Sequence, residues 1–150
     1  MTRALIAVGA ALALLVGGLA LAVFLTRDED NIQVDNLLSE RFTREVAAAS
    51  ANGTDLDLAA VAPFPWAKVL IVQRGTLDAA ISRKLGQEWT GVLGFETGEK
   101  LILLDAGGDV ERFFDYRGEG RFTGLETPIA ELARGEAVFR VRRLEITPKE

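Results

Sequence analysis

Residues 67–73 of this 150-residue chain read AKVLIVQ, a continuous apolar run rich in β-branched side chains. A run of this kind is typical of a strand that is covered on both faces or lies at the centre of a sheet. The PFPW sequence at 63–66 directly before it would break any regular element. We therefore predict that the core of a folded domain begins at residue 63 and is built around this strand.

Two short helices are predicted after the strand. Thr76 is a favourable N-cap for a helix at 77–85, and Gly86 is a favourable residue for its end. The Thr-Pro pair at 127–128 opens a second helix at 129–134, because proline is well tolerated at the first helical position.

The remaining downstream runs are predicted to be strands. Three of them are short and joined by turn residues, which favours antiparallel hairpins. These runs lie at 91–96, 100–105 and 110–117. The last run, 137–146, is also predicted to be a strand, and its alternation slips at Arg142 and Arg143, as at a bulge or a strand end.

The chain before residue 63 contains one further helix. Leu38, Phe42 and Val46 recur at helical spacing over residues 36–51, with polar residues on the other face. This single apolar stripe predicts that the helix docks on the domain or on a partner. The alternating sequence DLDL at 55–58 predicts a short edge strand.

These elements predict an α+β fold. Residues 63–150 form a small domain with a mostly antiparallel sheet and two short helices. Residues 28–62 form a juxtamembrane amphipathic helix and linker, and residues 1–27 form a transmembrane anchor.

The anchor prediction rests on residues 4–25, ALIAVGAALALLVGGLALAVFL, which contain no charged or polar side chain. A helix of 22 residues is long enough to cross a hydrocarbon core of about 30 Å. The sequence ALA at 20–22 has the form of a signal-peptidase site, so a cleaved, secreted domain is the alternative. Because the apolar run is long and continues past that site, we expect the helix to be retained.

The orientation of the anchor is predicted from basic residues near its ends. Arg3 lies before the apolar run, whereas Arg27, Arg41 and Arg44 follow it. The count alone favours a cytoplasmic domain, but an N-terminal apolar segment with a small basic head commonly acts as a signal anchor. We therefore expect a single-pass protein of the inner (plasma) membrane, with the N-terminus cytoplasmic and the domain outside.

One face of the apolar run carries small residues. Gly9, Ala13 and Gly17 lie four residues apart, a spacing that allows close packing of membrane helices. Ten of the 22 residues are Ala or Gly, so such a face also arises by chance. The face predicts a membrane-protein partner or self-association.

The composition excludes several chemistries. The chain has no Cys and no His, which excludes disulfides, thiolate metal sites and catalytic dyads that use either residue. Its net charge is −5, and every acidic residue lies after the apolar run. This balance argues against a nucleic-acid partner and against an extended anionic-lipid footprint. We predict no cofactor, no metal and no catalytic residue.

Several segments between residues 63 and 117 are shared with a known group of proteins. They are FPWAKV at 64–69, a Thr-capped helix ending LG at 85–86, Trp89, and an apolar strand at 101–104. In these features the chain resembles a family of small bacterial membrane-anchored or cell-surface proteins of uncharacterised function. It departs from that family at Ala67, where members have Asp, and at 74–76, where they have Pro-Tyr-Thr. The resemblance implies an anchor followed by a domain outside the cytoplasm, and it transfers no catalytic residue.

Acidic residues cluster in and after one predicted turn. The sequence DAGGD at 105–109 lacks the spaced ligands of a calcium loop and the Lys of a phosphate loop, so we interpret it as a hairpin turn. Asp109, Glu111 and Asp115 could form an acid/base site only within an apolar cleft. We expect a solvated sheet face instead.

Aromatic and basic residues supply the other candidates. Trp66 and Trp89 are expected to pack in the core or at its rim, with Trp89 the better candidate for an exposed contact. Arg140, Arg142 and Arg143 form a basic cluster that could meet an anionic ligand or lipid headgroups. Because acids outnumber bases, pairing with the domain's own carboxylates is favoured.

The function predicted from these observations is non-catalytic. The lipid bilayer holds the protein, and the soluble domain binds a partner or serves as an accessory subunit of a membrane complex. The alternative is an envelope enzyme or small-ligand-binding domain that uses Asp, Glu and Arg chemistry.

Overall fold

The computed structural model describes residues 32–91 and 98–149. The predicted anchor, with Gly9, Ala13 and Gly17, lies outside the described residues, as does nearly all of the predicted strand at 91–96. Among the described residues, no helix has both the length and the apolar character needed to span a bilayer.

The described chain is a mixed α+β fold with mostly antiparallel sheets and few helices. Its elements in order are α1 (Asn36–Asn52), β1 (Asp55–Asp57), α2 (Leu58–Val61), β2 (Lys68–Val72), α3 (Asp78–Leu85), β3 (Glu99–Leu104), β4 (Val110–Tyr116), β5 (Arg121–Phe122), β6 (Ile129–Ala133), a 3-10 turn (Arg134–Glu136), β7 (Val138–Arg142) and β8 (Glu145–Pro148).

The first sheet has the strand order β4-β3-β2-β6, and all its pairs are antiparallel. Strand β2 lies between β3 and β6, which confirms the prediction of a central strand. Val69 and Ile71 face one side of the sheet, whereas Leu70 and Val72 face the other, and all four are buried. Both faces of β2 are therefore covered, as a continuous apolar run requires.

The second sheet has the order β1-β7-β8-β5. Its pairs β1–β7 and β7–β8 are antiparallel, and the short β5 runs parallel to β8. Strand β1 confirms the predicted edge strand. The sequence predicted one sheet, whereas the structure forms two, because β1, β7, β8 and β5 pair with one another and with no strand of the first sheet.

The two faces of the first sheet have separate cores. One face packs against α1 and the inner face of the second sheet, and this core includes Phe42, Phe114 and Phe139. The opposite face packs against α3, with Ile81 and Trp89 over Phe113 and its neighbours. The order of layers is therefore α3, first sheet, then α1 with the second sheet.

Helix α1 begins and ends as its sequence predicts. The Asp35 carboxylate accepts a hydrogen bond from the backbone N–H of Leu38 at 3.0 Å, and Gly53 ends the helix with φ of 67°. The backbone N–H of Asp35 also donates to the carbonyl of Phe113 on β4 at 2.9 Å. Residues 32–62 thus belong to the same compact unit as the rest of the domain, not to a separate linker.

The predicted helix at 129–134 is wrong, because residues Ile129–Ala133 form strand β6. The carbonyl of Pro128 accepts a hydrogen bond from the N–H of Gln73, which aligns the chain with β2. The backbone groups of residues 129–133 then form ladder hydrogen bonds with β2 in place of the local hydrogen bonds of a helix. The other short helix is confirmed as α3, although Leu77 rather than Thr76 precedes its first turn.

The run 137–146 is not one strand but two, β7 and β8, joined in a hairpin. The slip at Arg142 and Arg143 therefore marks a strand end. Arg143 and Leu144 form the turn with φ of 50° and 66°. These are left-handed values that most residue types adopt rarely, so the residue types at 143 and 144 do not predict a hairpin turn.

Candidate functional site

The apolar stripe of α1 lies in the domain core. Leu38, Phe42 and Val46 are buried, and Phe42 has no exposed surface. The Phe42 ring lies 5.3 Å from the ring of Phe114 and 6.2 Å from that of Phe122 on the second sheet, measured between centroids. The sequence predicted that α1 docks either on the domain or on a partner. In the structure its apolar stripe docks on the domain.

The two tryptophans pack internally, as predicted. Trp89 is only 6% exposed and lies edge-on to Phe113, with centroids 5.0 Å apart, so its selection as an exposed contact is wrong. The indole N–H of Trp66 donates to the carbonyl of Ala62 at 3.0 Å, and the Arg134 guanidinium lies over its ring.

The carboxylates of 105–115 do not form a shared site. The Asp105 side chain accepts hydrogen bonds from the N–H groups of Gly108 and Asp109 at 2.8 and 2.9 Å, which confirms the hairpin turn. Asp115, in contrast to the predicted solvated face, is buried between β4 and α1. In the described ranges, 32–91 and 98–149, no three acidic side chains are grouped as a metal site would require.

Asp115 is the centre of a polar contact between α1 and β4. Its carboxylate accepts a hydrogen bond from the hydroxyl of the fully buried Ser39 at 2.7 Å and from the guanidinium of Arg117 at 3.0 Å. Burial alone would raise the pKa of Asp115, but the hydrogen bonds from Arg117 and Ser39 outweigh it and hold the pKa below its ordinary value. This contact fixes the position of α1.

Glu99 is a buried carboxylate that the sequence did not identify, because it was predicted to lie in the turn between the runs at 91–96 and 100–105, whereas it is the first residue of β3. It is 7% exposed and accepts hydrogen bonds from the backbone N–H of Phe122 at 2.9 and 3.2 Å. Burial raises the pKa of Glu99 despite that bond and the charges of Arg74 and Arg121. This hydrogen bond holds strand β5 beside the first sheet.

A groove of about 440 Å³ runs between α1, β1 and α2. Arg41 and Glu45 on α1 and the strand residues Asp55 and Asp57 contribute to its rim. Buried apolar side chains form its floor: Ala49, Leu56 and Val61. The Arg41 guanidinium donates to the carbonyl of Ala60 at 3.3 Å and so bridges the groove from α1 to α2.

Strand β1 also presents an open sheet edge beside this groove. The N–H of Leu58 donates to the carbonyl of Ala137, and antiparallel ladders alternate, so the N–H groups of Asp55 and Asp57 and the carbonyl of Asp55 point away from β7. The carbonyl of Asp57, the N-cap of α2, accepts the first hydrogen bond of that helix. An extended segment could pair with such an edge. The pKa of Asp55 is lowered, chiefly by the 2.7 Å hydrogen bond from Lys149, so this carboxylate stays ionised.

The arginine cluster lies on the outer face of the second sheet. Arg140 and Arg142 are exposed, and Arg143 is exposed at the adjoining turn. In the part of the chain that the structure describes, none of the three forms an ion pair within 4.0 Å. Asp55 lies opposite Arg140 in the β1–β7 ladder, and its carboxylate interacts electrostatically with Arg140 and Arg142 at longer range. The Arg142 guanidinium donates to the neighbouring carbonyl of Val141.

Comparison with known proteins adds no further constraint on this α+β domain. No family model, curated protein or solved structure matches the chain. The resemblance over residues 63–117 to small membrane-anchored bacterial proteins therefore stays a prediction.

Proposed function

We propose that this chain is a single-pass, membrane-anchored, non-catalytic protein whose soluble domain binds a partner or acts as an accessory subunit of a membrane complex. The observation that carries the proposal is the uncharged apolar run at 4–25, which precedes a folded domain by six residues. The anchor lies in the inner membrane, and the domain lies outside the cytoplasm.

The groove beside β1 supports a partner-binding role for the domain. It combines an edge strand with an apolar floor and a charged rim, three features that suit recognition of a short extended polypeptide segment. Acid/base chemistry would need a carboxylate whose pKa is raised. The pKa of Asp55 is shifted the other way, which favours recognition over catalysis.

The anchor itself is proposed to contact a membrane-protein partner or a second copy through Gly9, Ala13 and Gly17. Replacing Gly9 and Gly17 with Leu fills this face and weakens recovery of any partner that co-purifies from solubilised membranes. The matched control, Ala11→Leu with Ala22→Leu, adds the same kind of side chain on the opposite side of an ideal helix. Equal recovery with both double variants would refute this contact.

Anchoring is tested separately by extraction of membranes at alkaline pH. A retained apolar helix keeps the full chain in the pellet, whereas a cleaved domain appears in the soluble fraction without residues 1–22. N-terminal sequencing of the recovered protein distinguishes these outcomes directly.

The same groove favours one alternative, a small-ligand-binding domain. Arg41 and Glu45 place opposite charges on one wall, which suits a zwitterionic small molecule. Screening zwitterionic compounds by NMR against the full chain, with Glu45→Ala as the comparison, tests this role. Chemical shifts confined to the groove and lost in the variant would support it over partner binding.

A further inference from the structure

We propose that the outer face of the second sheet docks on the anionic headgroups of the bilayer that holds the chain. We call this surface, formed by Arg140, Arg142 and Arg143, the basic sheet face. The inference rests on the proposed membrane anchor and adds an orientation for the domain.

The side chains of β7 point alternately inward and outward, and the outward ones form the basic sheet face. Phe139 and Val141 point inward and have no exposed surface, because they fill the core beneath the sheet. Arg140 and Arg142 consequently point outward and are exposed. Arg143 extends the row at the β7–β8 turn, so three guanidinium groups are presented within four residues.

Three carboxylates share this face, but in the described residues none of them lies within ion-pair distance of its three arginines. Asp55 pairs with Lys149 at 2.7 Å, and Glu145 pairs with Arg121 at 3.5 Å. The Asp57 carboxylate accepts a hydrogen bond from the N–H of Ala59. Asp55 also interacts electrostatically with Arg140 and Arg142. When Lys149 and Arg121 are counted with the arginines, five basic residues outnumber the three carboxylates, so this face carries net positive charge although the whole chain carries a charge of −5.

Phosphate headgroups suit this arrangement. Guanidinium groups bind phosphate oxygens with paired hydrogen bonds, and arginine is weakly hydrated for a cation. Each basic residue at an anionic surface strengthens binding by roughly fivefold, so three give a combined preference of about 100-fold. Such binding is weak for a free domain, but a tether supplies a high effective concentration of the surface.

The absence of cysteine from the chain makes the face accessible to a specific probe. We would label Thr147→Cys, on the outer face of β8 opposite Arg140, with a fluorophore in the full chain. Gln87→Cys, which follows α3 on the far side of the first sheet, serves as the control position. Both proteins are reconstituted in nanodiscs of phosphatidylcholine alone or with about one third phosphatidylglycerol, containing a headgroup nitroxide lipid.

We expect stronger nitroxide quenching at position 147 than at 87 in the anionic discs. The difference falls in phosphatidylcholine alone and at 1 M salt, where the screening length is about 3 Å. Replacing the three arginines of the basic sheet face with Gln abolishes the difference. Tryptophan fluorescence of each variant verifies that the domain is folded.

A charge-matched control separates this face from general attraction. Arg44→Gln, Arg74→Gln and Arg83→Gln together remove the same charge from exposed arginines elsewhere. Quenching that is equal at 147 and 87, or that falls equally with both triple variants, overturns the proposal. So does a label at 147 that is shielded by added polyglutamate but not quenched by anionic lipid, since the face would then bind acidic polypeptide.

The same samples keep this inference distinct from the anchor. A chain that co-elutes with the discs but shows no preferential quenching retains its anchor and lacks the docking. A chain that elutes without discs refutes the anchor itself.

Discussion

Replacing Phe42 with Ala tests whether α1 is a structural part of the domain. The Phe42 side chain is fully buried, and its ring contacts those of Phe114, Tyr116 and Phe122. Truncating a buried Phe costs about 3–5 kcal/mol, through lost burial and the cavity left behind. Because rings from both sheets surround this one, we expect about 4 kcal/mol, a large part of the roughly 5–15 kcal/mol that stabilises a domain.

Urea unfolding of the full chain in detergent measures this loss. The chain has two tryptophans, Trp66 and Trp89, one in each core, so their fluorescence reports on the domain alone. With a slope of about 2 kcal/mol per M, the unfolding midpoint of Phe42→Ala falls by about 2 M.

The matched control lies on the same helix. Leu37 is 80% exposed, so Leu37→Ala should change the free energy of unfolding by no more than about 0.5 kcal/mol. If Phe42→Ala is no more harmful than Leu37→Ala, then α1 does not pack in the core, and the reasoning is wrong.

Three further changes test individual polar groups. Ser39→Ala removes the buried hydroxyl that donates to Asp115, and we expect urea unfolding to show a loss of about 1–3 kcal/mol. Glu99→Gln should raise the melting temperature at pH 7, because the raised pKa of Glu99 means that its ionised form destabilises the folded state. This gain should be lost on acidification, when the carboxylate of the folded protein is protonated. The pKa of Glu131 is lowered to about 2 by hydrogen bonds from two lysines, so its stabilisation should be complete above about pH 4.5 and vanish towards pH 2; Glu131→Gln should flatten that part of the pH profile.

The elements that the sequence predicted correctly have local signals. Strand β2 was found because burial on both faces makes every residue of 68–72 except Lys68 apolar. Helix α1 was found because its apolar spacing and its caps, Asp35 and Gly53, agree with one another. In both segments, the residues that decide the structure lie next to each other in the chain.

The elements that the sequence missed depend on distant pairing. A helix-start signal at 127–128 precedes residues 129–133, but these residues pair with the edge of β2 and form β6. The β7–β8 hairpin turns at Arg143 and Leu144, which give no glycine or asparagine signal. The second sheet was missed because its strands are short and because, apart from the β7–β8 hairpin, its paired strands are far apart in the chain.

The candidate surfaces were predicted less completely than the fold. The arginine cluster is visible in the sequence, but its lack of close ion pairs depends on the fold. Lys149 and Arg121 form the ion pairs with the nearby carboxylates of Asp55 and Glu145. The burial of Glu99 and the groove beside β1 arise only when separate segments meet. Sequence patterns identify which residues are charged, whereas packing decides which charges remain unpaired.

The most direct test of a membrane-anchored domain outside the cytoplasm is labelling of Gln87→Cys in spheroplasts. This exposed position carries the sole thiol of that variant, so a membrane-impermeant maleimide reports on one site. We predict labelling before lysis, on a chain that remains in the membrane pellet at alkaline pH. Labelling that requires lysis would place the domain in the cytoplasm, and a labelled chain in the soluble fraction would refute the anchor.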